Sequence, residues 1–171
     1  RRECVGADVD FSEFKGLTFA EDFLQTLTVY DRAETFCFLD ATLYYYRPGS
    51  GITSAYNPHF YRDVCRCLDV AEGFAGRWEA DYSCDGLIAG LAACRLDSGA
   101  QYAEWLAAQR DKKGLDVLRA SKDFARCSSL PGADEFLRFD RRVVVNALKR
   151  GRYLCITAVA KARAVRKRII S

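Results

Sequence analysis

The chain has 171 residues, half of them hydrophobic, and a formal net charge of +3. This composition supplies enough apolar side chains for a core in a single domain. The sequence has no P-loop, no dinucleotide-binding fingerprint and no HExxH motif, and its single histidine excludes a multi-histidine metal site. No apolar run approaches the roughly 18 residues needed to span a bilayer.

Eight cysteines are the most informative feature of the composition. An even number without C-x-x-C spacing is typical of disulfides formed in an oxidising compartment. Methionine is absent and the chain starts with Arg1-Arg2, which predicts a mature chain after removal of a leader. We therefore expect a secreted, extracellular protein stapled by disulfides, with buried thiols in a cytosolic helical protein as the alternative. The cysteines are Cys4, Cys37, Cys65, Cys67, Cys84, Cys94, Cys127 and Cys155.

The N-terminal third begins without a clear period, and residues 1–16 are predicted to form an irregular arm. A capping-box pattern at Thr18, followed by apolar residues at helical spacing, predicts a helix at about 19–31. Residues 33–47 fit either a helix or a strand. Their length favours a helix, while a short hairpin near 36–56 is the alternative.

Asn57-Pro58 predicts a helix start, because asparagine caps a helix and proline at the first position loses no needed hydrogen bond. The apolar stripe that follows predicts a helix ending near Gly73, and then an irregular crossing over 76–82.

A further helix is predicted from Ser83 to about Leu96. Gly86, Gly90 and Cys94 fall four residues apart on it. Small residues at this spacing predict the close approach of another helix.

Turn-forming residues divide the rest of the chain into shorter helical stretches. Breaks are predicted at Ser98-Gly99, at 112–114 and at 128–132, and Gly151 kinks or splits the last stretch. The predicted fold class is mostly α, a single-domain, disulfide-stapled bundle of six or seven helices over 1–171, with or without one short β-hairpin.

The strongest catalytic candidate is His59, the sole imidazole. Asp63 follows four residues later, so on a helix its carboxylate could orient the ring. A His59-based hydrolase is the residual enzymatic possibility, and a surface histidine in a local ion pair is the favoured interpretation. We predict no catalytic residue, no metal site and no cofactor.

Two stretches are candidates for binding. The run Tyr44-Tyr45-Tyr46-Arg47 adjoins a proline-glycine loop, and Tyr and Arg are enriched in binding hot spots, although these tyrosines could instead complete the core. No acid follows Asp140, so the last segment is basic and predicts either an acidic partner or membrane surface, or a solvated helix face. The absence of interleaved aromatics argues against nucleic acid as the partner. The candidate cations are Lys161, Arg163, Arg166, Lys167 and Arg168.

The leading functional hypothesis is a secreted, non-enzymatic binding protein, such as an effector, toxin, signal or recognition factor, that acts through a protein partner. One alternative is an extracellular carrier of an apolar small ligand in a helical cage. The other is a cationic, membrane-active protein that uses its last helix.

Overall fold

A computed structural model of the chain describes residues 15–17, 21–42, 56–82 and 86–170. These ranges contain seven helices and no strand, which confirms the predicted mostly α fold. The helices are α1 (Glu21–Arg32), α2 (Phe60–Tyr82), α3 (Leu87–Ala108), α4 (Lys112–Ala120), α5 (Lys122–Ser128), α6 (Phe139–Lys149) and α7 (Tyr153–Ile170). None of the described helices is long and apolar enough to cross a membrane.

The chain divides into two compact units, Arg1–Phe74 and Ala75–Ser171. In the first unit, α1 buries Leu24 and Leu27, three residues apart on one helical face. Its α2 segment begins as the sequence predicts, since the Asn57 side-chain oxygen accepts a 2.8 Å hydrogen bond from the backbone N–H of His59.

In the second unit, α3 is the central helix and packs against α4, α5, α6 and α7. Small side chains make this possible, because alanine lets neighbouring helix backbones approach closely. Arg95 is also fully buried, and its guanidinium Nη1 lies 3.8 Å from Asp123 Oδ1. The buried small residues of α3 are Ala92, Ala93, Gly99, Ala100, Ala103 and Ala107.

Three helix boundaries predicted from the sequence are wrong, and one of them is the break at 112–114, which is the first turn of α4. The helix α2 runs through Gly73 and the expected crossing to Tyr82. The break expected at Ser98-Gly99 falls inside α3, where Gly99 is buried. A mid-helix glycine costs roughly 1 kcal/mol relative to alanine, and tertiary burial outweighs that cost.

The predicted close approach of a helix at Gly90 and Cys94 is also wrong. A Cβ added at Gly90 would meet no atom within 4 Å, and Cys94 is exposed. Gly86 has a different role, because it is the N-cap of α3 with φ 95°, in the left-handed region that glycine tolerates best.

The stretch 33–42 is neither helix nor strand, so neither predicted structure forms in this described part of 33–47. Phe36 and Phe38 are exposed, and the Phe36 ring meets the ring of Tyr30 edge-on, with 5.5 Å between centroids. The capping box at Thr18 and the remainder of the expected hairpin lie outside the described residues.

No disulfide bond is present in the described part of the chain, so the disulfide-stapled part of the predicted fold class has no support. Cys65, Cys67 and Cys127 are buried in the core, while Cys37, Cys94 and Cys155 are exposed. Cys4 and Cys84 lie outside the described residues.

We expect iodoacetamide to modify Cys37, Cys94 and Cys155 in the native, unreduced protein, because all three are exposed. The Cys94 side chain is exposed, but neighbouring atoms partly desolvate its thiol, and this desolvation together with the charge of Asp97 raises its pKa. Asp97→Asn should therefore speed labelling of this thiol, since the thiolate is the reactive form. Peptide mass spectrometry measures both. Exposed cysteines that label only after reduction would contradict the structure and restore the prediction of disulfides.

Candidate functional site

The candidate site is an open groove of about 610 Å³ in the second unit. It lies where the C-terminal end of α3, the start of α4 and the first turns of α7 meet. We call it the cationic groove. Its charged residues are Arg110, Lys112 and Lys161, and its apolar residues include Ala107, Leu115 and Leu154.

The α3–α4 turn positions two of the three cations. The N–H of Arg110 donates to the Ala107 carbonyl at 3.1 Å, and the N–H of Asp111 donates to the Leu106 carbonyl at 2.9 Å. This pair of bonds is a Schellman motif, which ends the helix at a left-handed residue. Asp111 then starts α4, since its carboxylate caps the N–H of Gly114 at 2.8 Å.

Arg110 holds this left-handed position with φ 60°, and it is the only non-glycine residue with positive φ in the described part of the chain. The left-handed conformation costs a residue with a Cβ about 1–2 kcal/mol. Gly151 has φ 66° in the turn between α6 and α7, where the same pair of bonds forms. The two turns have the same hydrogen bonds and both line the groove. One has glycine at the left-handed position, and the other has an exposed arginine there.

The opposite side of the groove is anchored to α4. The hydroxyl of Tyr153 donates to Oδ1 of Asp116. Burial and this hydrogen bond raise the pKa of Tyr153, so the phenol keeps its proton. Arg119 Nη2 lies 3.5 Å from the same carboxylate oxygen. These contacts fix the first turn of α7, where Leu154 is 87% exposed.

The electrostatics of the groove favour an anion. None of the described residues that line it is acidic, and Arg110, Lys112 and Lys161 are all exposed. The neighbouring Asp111 uses its carboxylate in the helix cap. Three cations beside exposed apolar surface suit a ligand that carries both negative charge and apolar groups.

Arg163, another predicted binding residue, lies instead in an ion-pair network between α3, α6 and α7. Its Nη1 is 2.8 Å from Glu104 Oε1, and its Nη2 pairs with Asp140. Arg141 contacts the same Glu104 oxygen at 3.3 Å. The network clamps α7 against the rest of the unit.

The two carboxylates of this network have opposite pKa shifts. Burial raises the pKa of Glu104, although Arg141 and Arg163 act against it. The hydrogen bond from Arg138 and the charge of Arg163 hold the pKa of Asp140 well below its usual range. The charged form of Asp140 therefore stabilises the fold. The charged form of Glu104 instead lowers the free energy of unfolding, because burial removes water from its carboxylate.

The remaining predicted site residues are distributed as follows. His59 is exposed and precedes α2, while Asp63 is fully buried and pairs with Arg62 at 2.8 Å. No group of three potential metal ligands occurs within the described part of the chain. The tyrosine run Tyr44-Tyr45-Tyr46-Arg47 and the side chains of Arg166, Lys167 and Arg168 lie outside the described part of the structure.

Arg110 and Lys112 are the cations of the site that sequence reasoning missed. They lie about 50 residues before Lys161, and only the packing of α7 on α3 brings them together. The sequence 109–114, with three cations in a turn before Gly114, was the available indication of a charged surface.

No known family, curated protein or solved structure matches this chain.

We expect Arg110→Gly to raise the free energy of unfolding by about 1 kcal/mol, because glycine adopts positive φ without the Cβ penalty. Urea denaturation followed by circular dichroism measures this change. Arg150→Gly is the matched control, since Arg150 is an exposed arginine that caps α6 with φ −89°. A destabilised Arg110→Gly variant would show that the arginine side chain supports the fold.

Asp140→Asn should lower the free energy of unfolding at pH 7 by about 0.5–1 kcal/mol, the range of partly exposed ion pairs. Because the folded-state pKa of Asp140 is lowered, its contribution is present above the unfolded pKa of about 4 and is lost as the pH falls below it. The deficit of the variant should therefore vanish in strong acid.

Glu104→Gln is the comparison for this prediction. Because the folded-state pKa of Glu104 is raised, the wild type should gain stability relative to Glu104→Gln as the pH falls through that pKa towards the unfolded value. Urea midpoints measured across pH 2–7 test both signs. Parallel pH profiles for the two variants would contradict the opposite roles assigned to these carboxylates.

Proposed function

We propose that this chain is a non-enzymatic binding protein whose cationic groove receives an acidic, partly apolar segment of a protein partner. The observation that carries the proposal is the combination of three exposed cations with exposed apolar side chains in one concave surface. The cysteine content supports secretion, which we propose as part of the same function.

The groove is large enough to receive a few side chains of a protein partner. Its volume of about 610 Å³ falls in the range of ligand sites and admits a few side chains. Leu154, at 87% exposure, offers an apolar anchor, and the buried Leu115 forms part of the floor. Interfaces concentrate their energy in such a small apolar centre with charges around it.

The shape of the groove favours a protein segment over the alternative ligands. A helical cage for an apolar ligand requires an enclosed apolar cavity, whereas this groove is open and bears cations. A membrane-active helix requires a continuous apolar face on α7. In α7, Arg163 forms ion pairs on one side of the helix and Lys161 lines the groove on another side. Charged residues on both sides interrupt such an apolar face.

The test uses a fluorescein-labelled 12-residue peptide of glutamate and leucine at helical spacing, with a lysine-for-glutamate peptide as the control ligand. We expect Lys161→Glu to weaken binding of the acidic peptide at least tenfold, since charge reversal replaces attraction with repulsion. Fluorescence anisotropy at 50 and 200 mM salt measures affinity and its screening.

Lys122→Glu is the matched control variant, because Lys122 is an exposed lysine of the same unit that does not line the groove. Equal losses in Lys161→Glu and Lys122→Glu would mean that net charge alone governs binding. Tighter binding to anionic vesicles than to the peptide, also sensitive to Lys161→Glu, would favour the membrane alternative and contradict the proposal.

A further inference from the structure

The segment that runs from the α5–α6 loop into the first residue of α6 presents acidic and aromatic side chains together. Asp134 and Glu135 are exposed, and Phe136 and Phe139 are 61% and 76% exposed. Large aromatic side chains are rarely left in water beside one another without a binding role. We call residues 134–139 the acidic-aromatic loop.

This loop has a fixed conformation. The N–H of Glu135 donates to the Gly132 carbonyl at 3.1 Å, and the N–H of Leu137 donates to the Asp134 carbonyl at 3.2 Å. Ala133 and Leu137 are buried and anchor it on both sides of the exposed residues. A segment ordered in advance loses little conformational entropy when it binds.

Phe136 and the cationic groove lie at opposite ends of α3. A Cβ added at Gly86, the N-cap of α3, would lie 3.7 Å from the Phe136 ring, so this part of the loop lies at the N-terminal end. The groove includes Ala107 and Ala108, at the C-terminal end. A helix of 22 residues is roughly 33 Å long, so Phe136 and the adjacent Asp134 and Glu135 do not reach the groove of their own molecule. The other end of the loop adjoins Asp140, which pairs with Arg163 of α7.

The two surfaces are complementary in charge and in apolar content. The loop offers Asp134, Glu135 and exposed phenylalanine, and the groove offers Lys112, Lys161 and exposed leucine. The loop's one cation, Arg138, is paired with Asp140 at 3.0 Å, which offsets its charge. The loop thus has the chemistry that the groove is proposed to bind.

We infer that the partner is a second copy of this chain, whose acidic-aromatic loop docks in the cationic groove. This inference rests on the proposed function of the groove. The contact joins two different surfaces, so it is head-to-tail, and each added copy leaves one loop and one groove open. The assembly grows as a chain of molecules or closes into a ring.

The test is sedimentation velocity over a range of concentrations. It uses two variants, each of which reverses the charge of one of the two surfaces. The groove variant is Lys112→Glu with Lys161→Glu, and the loop variant is Asp134→Lys with Glu135→Lys. We expect the weight-average mass of the wild type to rise with concentration beyond that of a dimer. Each variant alone should remain monomeric, with unchanged circular dichroism.

An equimolar mixture of the two variants gives the decisive result. The native loop of the groove variant matches the native groove of the loop variant, and the reversed loop matches the reversed groove. Contacts therefore re-form between unlike variants, and the weight-average mass of the mixture should rise with concentration as that of the wild type does. A mixture that remains monomeric, or variants that associate as the wild type does, would overturn the inference. Combining all four substitutions in one chain should restore association, because the charges are then exchanged.

The peptide experiment separates this inference from the function on which it rests. A wild type that stays monomeric at millimolar concentration while its groove binds the acidic peptide would overturn self-assembly and leave the binding function intact. A groove that binds neither the peptide nor the loop would overturn both.

Discussion

The small side chains of α3 are the constraint on which the second unit depends. Because alanine occupies most of its buried positions, four other helices pack around this one axis. A buried charge needs a partner, and Arg95 lies near Asp123 of α5. The length of α3 also separates Gly86, next to the Phe136 ring, from Ala107 and Ala108 in the cationic groove.

The groove is built from helix ends, and this explains its charge. Two Schellman turns, at Arg110 and at Gly151, close the C-terminal ends of α3 and α6 beside it. The C-termini of α3 and α6 carry partial negative charge, which favours nearby cations, and the N-termini of α4 and α7 carry partial positive charge, which favours an anionic ligand. The strain at Arg110 persists where glycine would relieve it, as at Gly151. Backbone strain of this kind is typical of functional surfaces, and here it presents a guanidinium at the groove.

Local rules predicted the helical fold and several of its boundaries. Asn57-Pro58 gave the start of α2 to within three residues, and Gly151 separates α6 from α7. The same rules failed at Gly99, since propensity favours a break while the packing of α3 favours a buried glycine without a side chain. The cysteine count is a similar case, because the disulfides that it predicts have no support among the described residues. The number of cysteines suggests staples, but Cys65, Cys67 and Cys127 are core positions whose role depends on burial.

The candidate site was predictable only in part, and α7 shows why. Lys161 and Arg163 belong to the same basic run, yet they are two residues apart and so project about 200° from one another around the helix. One of them lines the groove, and the other pairs with Glu104. Counting the charges of the sequence cannot distinguish Lys161 from Arg163, since both are cations of the same segment. The difference comes from acids on α3 and α6, which neutralise one face of α7 and leave the other face to define the groove.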